Sequence, residues 1–182
     1  MKLDTSLPLI LAAAASLLTA CGDSEKASTE GKPASPPHPA IAAILSETPP
    51  DGAVSVVAAR KTGKPGEAIT VEGIVAGTMS PFAEGFASVI VSDLSVETCD
   101  KVPGDSCPTP WDACCADPEA LKGMRLTLQV SGTDGRPVPQ TLKGISGLKE
   151  MDRVIAAGTV AEGSTPENLV INVNKLHRSE VQ

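Results

Sequence analysis

The sequence predicts a small all-β domain: a five-stranded barrel with a Cys-rich loop between its second and third strands, preceded by a disordered tether. Two observations carry that expectation. Beyond residue 51 the apolar side chains recur with period two rather than 3.6, the pattern of strands with one buried face. Five such segments follow one another, separated by turn-forming sequence and with a longer connection after the third, the rhythm of a small closed barrel. In the first, Ile69, Val71, Gly73 and Val75 share one face while Thr70 and Glu72 point the other way. In the second, Ala87, Val89 and Val91 alternate with Ser88 and Ser92 and end at Asp93. Leu126, Leu128 and Val130 alternate with Arg125, Thr127, Gln129 and Ser131 in the third. The fourth, 154–161, is apolar on both sides, as a strand covered on both faces would be. Leu169, Ile171 and Val173 alternate with Asn172 and Asn174 in the fifth. Thr133-Asp134-Gly135 and Glu162-Gly163-Ser164 supply turn chemistry in the gaps.

Particular residues also carry a resemblance. Gly66-Glu67-Ala68-Ile69-Thr70-Val71-Glu72-Gly73-Ile74-Val75 resembles the first strand of an OB-fold, and the stretch from Leu148 to Val160 resembles the usual entry to its fourth strand. The likeness spans about residues 66–177 and implies a small closed five-stranded barrel. Two departures stand out. Met151 occupies a position where a turn Gly is common before Asp152, and Gly144 and Gly147 weaken any helix between strands three and four.

Residues 1–20 read as an export signal: Lys2, an apolar run from Leu7 to Ala20 that is short for a membrane span, then small residues. Leu18-Thr19-Ala20-Cys21 resembles the bacterial lipobox, which implies that Cys21 becomes a lipid-bearing N-terminus anchored in a bilayer. Gly22 lacks the acidic retention signal of Gram-negative inner-membrane lipoproteins, so the resemblance implies an outer-membrane address. Residues 21–50, with six Pro and no aromatic between Gly22 and Pro50, are expected as the tether, with a brief helical turn at 41–45. His38 lies there between two prolines, as an inert residue. The barrel domain is expected to occupy 51–182.

The most distinctive segment runs from Glu97 to Cys115 and holds Cys99, Cys107, Cys114 and Cys115, four of the five cysteines. Its end, Thr109-Pro110-Trp111-Asp112-Ala113-Cys114-Cys115, is similar to a segment of uncharacterised secreted bacterial proteins, a likeness that brings no activity with it. In an exported chain four such thiols are expected as two disulfides, Cys99 and Cys107 each pairing with one of the vicinal pair, because adjacent cysteines rarely bridge each other across the short span of a trans peptide. The alternative is a thiolate site for Zn or Cu, although intervals of seven, six and no residues depart from the usual close pairs. No Cys-x-x-Cys supports a redox enzyme.

Across 97–119 six acidic residues face one Lys, so Asp105, Asp112, Asp117 and Trp111 are expected as a contact surface for an envelope protein or a basic partner. Trp111 alternatively packs over the cysteine knot as the loop's small core. Fifteen basic against 22 acidic side chains give −7, and two Phe, one Trp and no Tyr leave no stacking platform, which makes nucleic acid an unlikely ligand. The phosphate-loop, nucleophile-elbow, dinucleotide and zinc-protease motifs are all missing, and His177 sits beside Lys175 and Arg178 as a surface residue. The expected role is therefore non-catalytic: binding or envelope structure through a disulfide-stapled loop, or alternatively periplasmic metal handling through the same thiols.

Overall fold

A computed structural model describes residues 36–165 and 167–179. The export signal, Cys21 and the first half of the expected tether, 21–35, lie outside them. Among the described residues no helix is long and apolar enough to cross a membrane.

The elements are α1 (Pro39–Ile44), β1 (Val54–Ser55), α2 (Val56–Thr62), β2 (Ala68–Ile74), β3 (Ser88–Ser92), α3 (Pro118–Lys122), β4 (Arg125–Gln129), β5 (Arg153–Val160) and β6 (Val170–Ser179). Five strands close a ring in the order β2-β3-β4-β6-β5 and back to β2. All neighbours are antiparallel except β4 and β6, which run parallel from Thr127↔Val170 to Gln129↔Asn172. A parallel pair cannot be joined by a hairpin. The chain therefore crosses to β5, on the far side of the ring, before returning as β6. This is the small all-β OB-like barrel that the sequence predicts, with the Cys-rich loop between β3 and β4.

Inward positions follow the period-two expectation. Val71, Val89, Leu128, Val154 and Ile171 are 0–1% exposed and form the centre of the core. β5 differs from its expectation: Val154, Ala156 and Val160 point inward, but Ile155 and Ala157 are only half-buried and Thr159 is exposed, so one face alone is fully covered. Among the described residues no element covers its outer side as a doubly covered strand requires.

Two features escape the strand pattern. β1 adds a short parallel edge to β2 at Val54↔Val71 and Ser55↔Glu72. It leads into α2, capped by Ser55 Oγ accepting from Ala58 N, whose Val56 and Ala59 are fully buried. β2 and β3 are registered only at Ile74↔Ser92, so α2 supplies apolar cover next to the barrel's weakest seam. At the other end, 36–50 is not all tether. His38 Nδ1 accepts from Ala40 N and starts α1, which packs on β6 with Ile41 0% and Ile44 7% exposed. Ser46 N then donates to Leu176 O, and His177 Nδ1 donates to Ser46 O at 3.0 Å. The spacing of Ile41, Ile44 and Leu45 makes one apolar stripe, and its burial is worth about 2 kcal/mol per side chain, enough to order a segment whose composition reads as linker.

No α-helix stands between β4 and β5 among the described residues, only a one-turn 3-10 segment at Ile145–Gly147, with Gly144, Ser146 and Gly147 at positive φ. The entry to β5 confirms the turn that the sequence marks. Met151 adopts φ 70°, its N donates to Val75 O, and Asp152 Oδ2 accepts from Lys149 N and Arg178 Nη1. A left-handed conformation costs a side-chain-bearing residue about 1–2 kcal/mol, which Gly avoids. Met151→Gly is accordingly expected to raise stability by about 1 kcal/mol, read as a higher midpoint in chemical denaturation; an unchanged or lower midpoint refutes the strain.

Candidate metal centre

The β3–β4 loop is fastened at its base by Asp93. The Asp93 carboxylate is 6% exposed; Oδ2 accepts from Val57 N, and Oδ1 from Ser95 N and Ser95 Oγ. Burial alone would raise its pKa, but these hydrogen bonds and one to Ser55 hold it below the ordinary carboxylate value. A folded-state pKa below the unfolded one means stabilisation that is complete above the unfolded value near 4 and is lost as pH falls through the lower, folded value. Asp93→Asn is thus expected to lower stability at pH 7 and to flatten the acid limb of the stability profile. Parallel profiles for the two proteins would show that Asp93 does not titrate with folding.

Beyond Asp93, Val96, Ala113 and Leu121 form a second small core with Ile74, Ala116 and Met124. Three turns then place the sulfurs. Asp112 N donates to Thr109 O, closing a turn with Pro110 at its second position, where Pro is pre-set. Ala116 N donates to Ala113 O, which puts Cys114 and Cys115 at the exposed corner. Cys99 opens a tight turn that ends with Val102 N donating to Cys99 O, and its own N donates to Asp112 O at 2.7 Å. That last bond joins the two arms of the loop, so residues separated by fifteen positions share one end.

At that shared end the thiols gather. Cys99 Sγ, buried, is 3.4 Å from Cys114 Sγ, and Cys114 Sγ is 3.9 Å from Cys115 Sγ. The Cys99, Cys114 and Cys115 sulfurs lie within 4.8 Å of one another, as do Cys99 Sγ, Cys107 Sγ and an Asp105 carboxylate oxygen. Cys99 belongs to both groups, and neither contains a His. Asp105 bridges them, with Oδ1 accepting from Cys107 N and Oδ2 3.9 Å from Cys115 Sγ.

The expected pair of disulfides is not formed: all four thiols are free, and 3.4 Å far exceeds an S–S bond of about 2.05 Å. The physical reason is that the loop's turns converge on Cys99 as a hub, whereas two separate bridges need two separate pairs. The vicinal thiols are unbonded, as the short span of a trans peptide requires.

Burial pushes the Cys99 thiol up to about 12, with the Cys114 thiol adding to it. Cys107 moves the other way, below the usual thiol value, because the Thr109 hydroxyl and backbone favour its thiolate. For Cys114 the contact with Cys99 favours the thiolate, but Cys115, burial and Cys107 outweigh it and raise the pKa. Thiolate ligation here must therefore displace protons, at Cys99 above all.

The expected contact residues separate. Asp105 and Asp117 are exposed, and Asp117 also caps α3 by accepting from Glu119 N. Asp112 is 8% exposed, its Oδ1 taken by Ala113 N, so it is structural and presents no contact surface. Trp111 is held against the β2–β3 connection. Its Nε1 donates to Met79 O and its O accepts from Gly77 N, pinning the loop to the β2–β3 connection, while the half-buried ring lines a cleft with Pro81, Phe82, Lys143 and Glu150. Gly77 is required there: at φ 86° it has no room for a Cβ, which would stand 2.1 Å from Ser92 Oγ. Sequence reasoning placed Asp105 near the thiols but missed Thr109 as a partner of Cys107. The Thr-Pro turn signal that follows Cys107 is the clue that brings it in.

No protein-family model, curated protein or solved structure matches the chain. Fold and site together define its class: an OB-like barrel bearing a cluster of four free thiols on the loop between its second and third ring strands.

Proposed function

We propose that the protein is a lipid-anchored, extracytoplasmic, non-catalytic module that holds a thiophilic metal ion, Zn²⁺ or Cu⁺, in its Cys loop. The observation that carries the reading is the sulfur geometry. A tetrahedron with metal–sulfur bonds of about 2.3 Å has edges of about 3.8 Å. The separations of 3.4 and 3.9 Å around Cys114 bracket that edge, and Cys99 Sγ comes within 4.8 Å of each of the other three sulfurs. Thiolates select soft ions, and the absence of His from the cluster fits the same preference. The resemblance of Leu18–Cys21 to a lipobox supports the anchor and the export route.

The test is metal analysis of the full-length protein purified without oxygen from the envelope fraction. Stoichiometric zinc or copper, lost together with the appearance of reactive thiols on chelation, supports the reading; a metal-free protein that takes up neither ion when reduced refutes it. For the anchor, Cys21→Ala is expected to move the protein from the membrane fraction to the soluble extract, and an unchanged distribution refutes lipidation at Cys21.

A second reading is favoured by the exposure of Glu97, Asp100, Asp105, Asp117 and Glu119 on the same loop. This acidic surface suits a basic envelope partner, and cross-links in intact cells that vanish on reversing the charges of Asp117 and Glu119 would establish it.

A further inference from the structure

The two chemistries that the sequence offers for these thiols, a disulfide and a metal site, are usually exclusive, yet the geometry places both in one cluster. Cys114 stands at an exposed turn corner, open to a reagent from solvent, while Cys99 is 3% exposed and 3.4 Å behind it. The 2.7 Å bond from Cys99 N to Asp112 O, with that from Asp100 N to Pro110 O, keeps the two backbones side by side. Closing the gap from contact to a bond thus needs side-chain movement rather than refolding. Cys115, although adjacent to Cys114, is farther at 3.9 Å between sulfurs, and the short Cα separation across a trans peptide disfavours a bridge between them. Cys107 is turned toward Thr109, with its Sγ 3.3 Å from Thr109 Oγ1.

We infer that the metal held in the loop is released by formation of a Cys99–Cys114 disulfide, which makes the loop a carrier that unloads to an oxidising thiol partner. The inference rests on the metal reading above. The co-reactant is an exchangeable disulfide, RSSR. Cys114 Sγ, as thiolate, attacks one of its sulfurs; the S–S bond of the reagent breaks and one RS⁻ leaves with the electron pair, giving a mixed disulfide on Cys114. Cys99 Sγ then attacks Cys114 Sγ, the mixed disulfide breaks, and the second RS⁻ leaves. Two protein thiolates have been oxidised and one RSSR reduced to two thiolates, which take protons from the medium. The ion keeps its charge but has lost two of its sulfur ligands, including the one common to both ligand groups, so it dissociates. Cys107 and Cys115 regain protons, and reduction restores the site.

The experiment uses the reduced full-length protein loaded with Zn²⁺ and titrated with oxidised glutathione. Zinc release is followed with a chromophoric chelator, and linkages are mapped by peptide mass spectrometry on samples quenched by acid. The expected result is zinc appearing in step with a Cys99–Cys114 linkage, both reversed by a phosphine reductant. Zinc retained at saturating oxidised glutathione, or released with any other linkage, overturns the inference. A protein that takes up no Zn²⁺ before oxidation overturns the metal reading and this inference with it, whereas one that binds and then holds its zinc overturns the release alone.

Discussion

Cys99→Ser is expected to lower the affinity for Zn²⁺ by about 10²–10³-fold. Four-ligand structural zinc sites hold their ion with roughly 10–16 kcal/mol, or about 3 kcal/mol for each ligand, which is about 10²-fold. Cys99 should exceed that share because its sulfur is the only one present in both the Cys114/Cys115 group and the Cys107/Asp105 group. Cys107→Ser, which removes a ligand from one group only, should cost less. Competition against a chromophoric chelator measures both. Equal losses for the two variants would show that Cys99 is no hub, and no loss for Cys99→Ser would remove the site. Serine is close in size to cysteine and leaves the backbone bond from residue 99 to Asp112 O intact, so circular dichroism and the denaturation midpoint should stay near those of the parent. That separates a lost ligand from a lost fold.

The second large effect belongs to the barrel. Gly158 faces inward on β5 at the point where its register with β6 shifts: Ala157 pairs with Lys175 and Gly158 with Val173, leaving Asn174 as the extra residue of a bulge. A Cβ at 158 would stand 2.3 Å from Asn172 O and 2.8 Å from Ile171 Cγ2. The first is backbone and cannot rotate away, so Gly158→Ala must push β6 off β5. A loss of about 3 kcal/mol or more is expected, at the upper end of single substitutions. Gly163→Ala, in the turn that follows β5, meets nothing within 4 Å and should fall within about 0.5 kcal/mol of the parent. Chemical denaturation of both decides the matter: similar midpoints would mean that the close approach of β5 to β6 does not constrain residue 158.

These two sites differ in how far they could be read in advance. The bulge was hidden: Leu169, Ile171 and Val173 alternate cleanly, and only the inward turn of Leu176, three residues after Val173, betrays the slip. The ring strands were legible because a closed barrel with a wet exterior imposes strict inside–outside alternation, a local signal. α1 and β1 were not. Residues 39–44 are ordered by packing against β6, more than a hundred positions away, and a two-residue strand such as β1 has no period to detect. The Cys loop was legible as a site from its four thiols and acidic surplus, but its chemistry was not, because the approach of Cys99 to Cys114 depends on a hydrogen bond across the loop rather than on spacing. For the same reason Asp112 looked like part of a charged surface and is instead buried, its carboxylate accepting from Ala113 N.

By itself the sequence determined the positions of the five ring strands, the turn at Met151–Asp152, and which cysteines gather in one segment, since each is a matter of residues a few positions apart. Tertiary structure alone decided that α1 packs on β6, that Trp111 pins the loop to Met79, and that the four sulfurs meet around Cys99 as free thiols. Those outcomes rest on contacts between distant segments, whose energies are set by closing the barrel and carry no signature in local sequence.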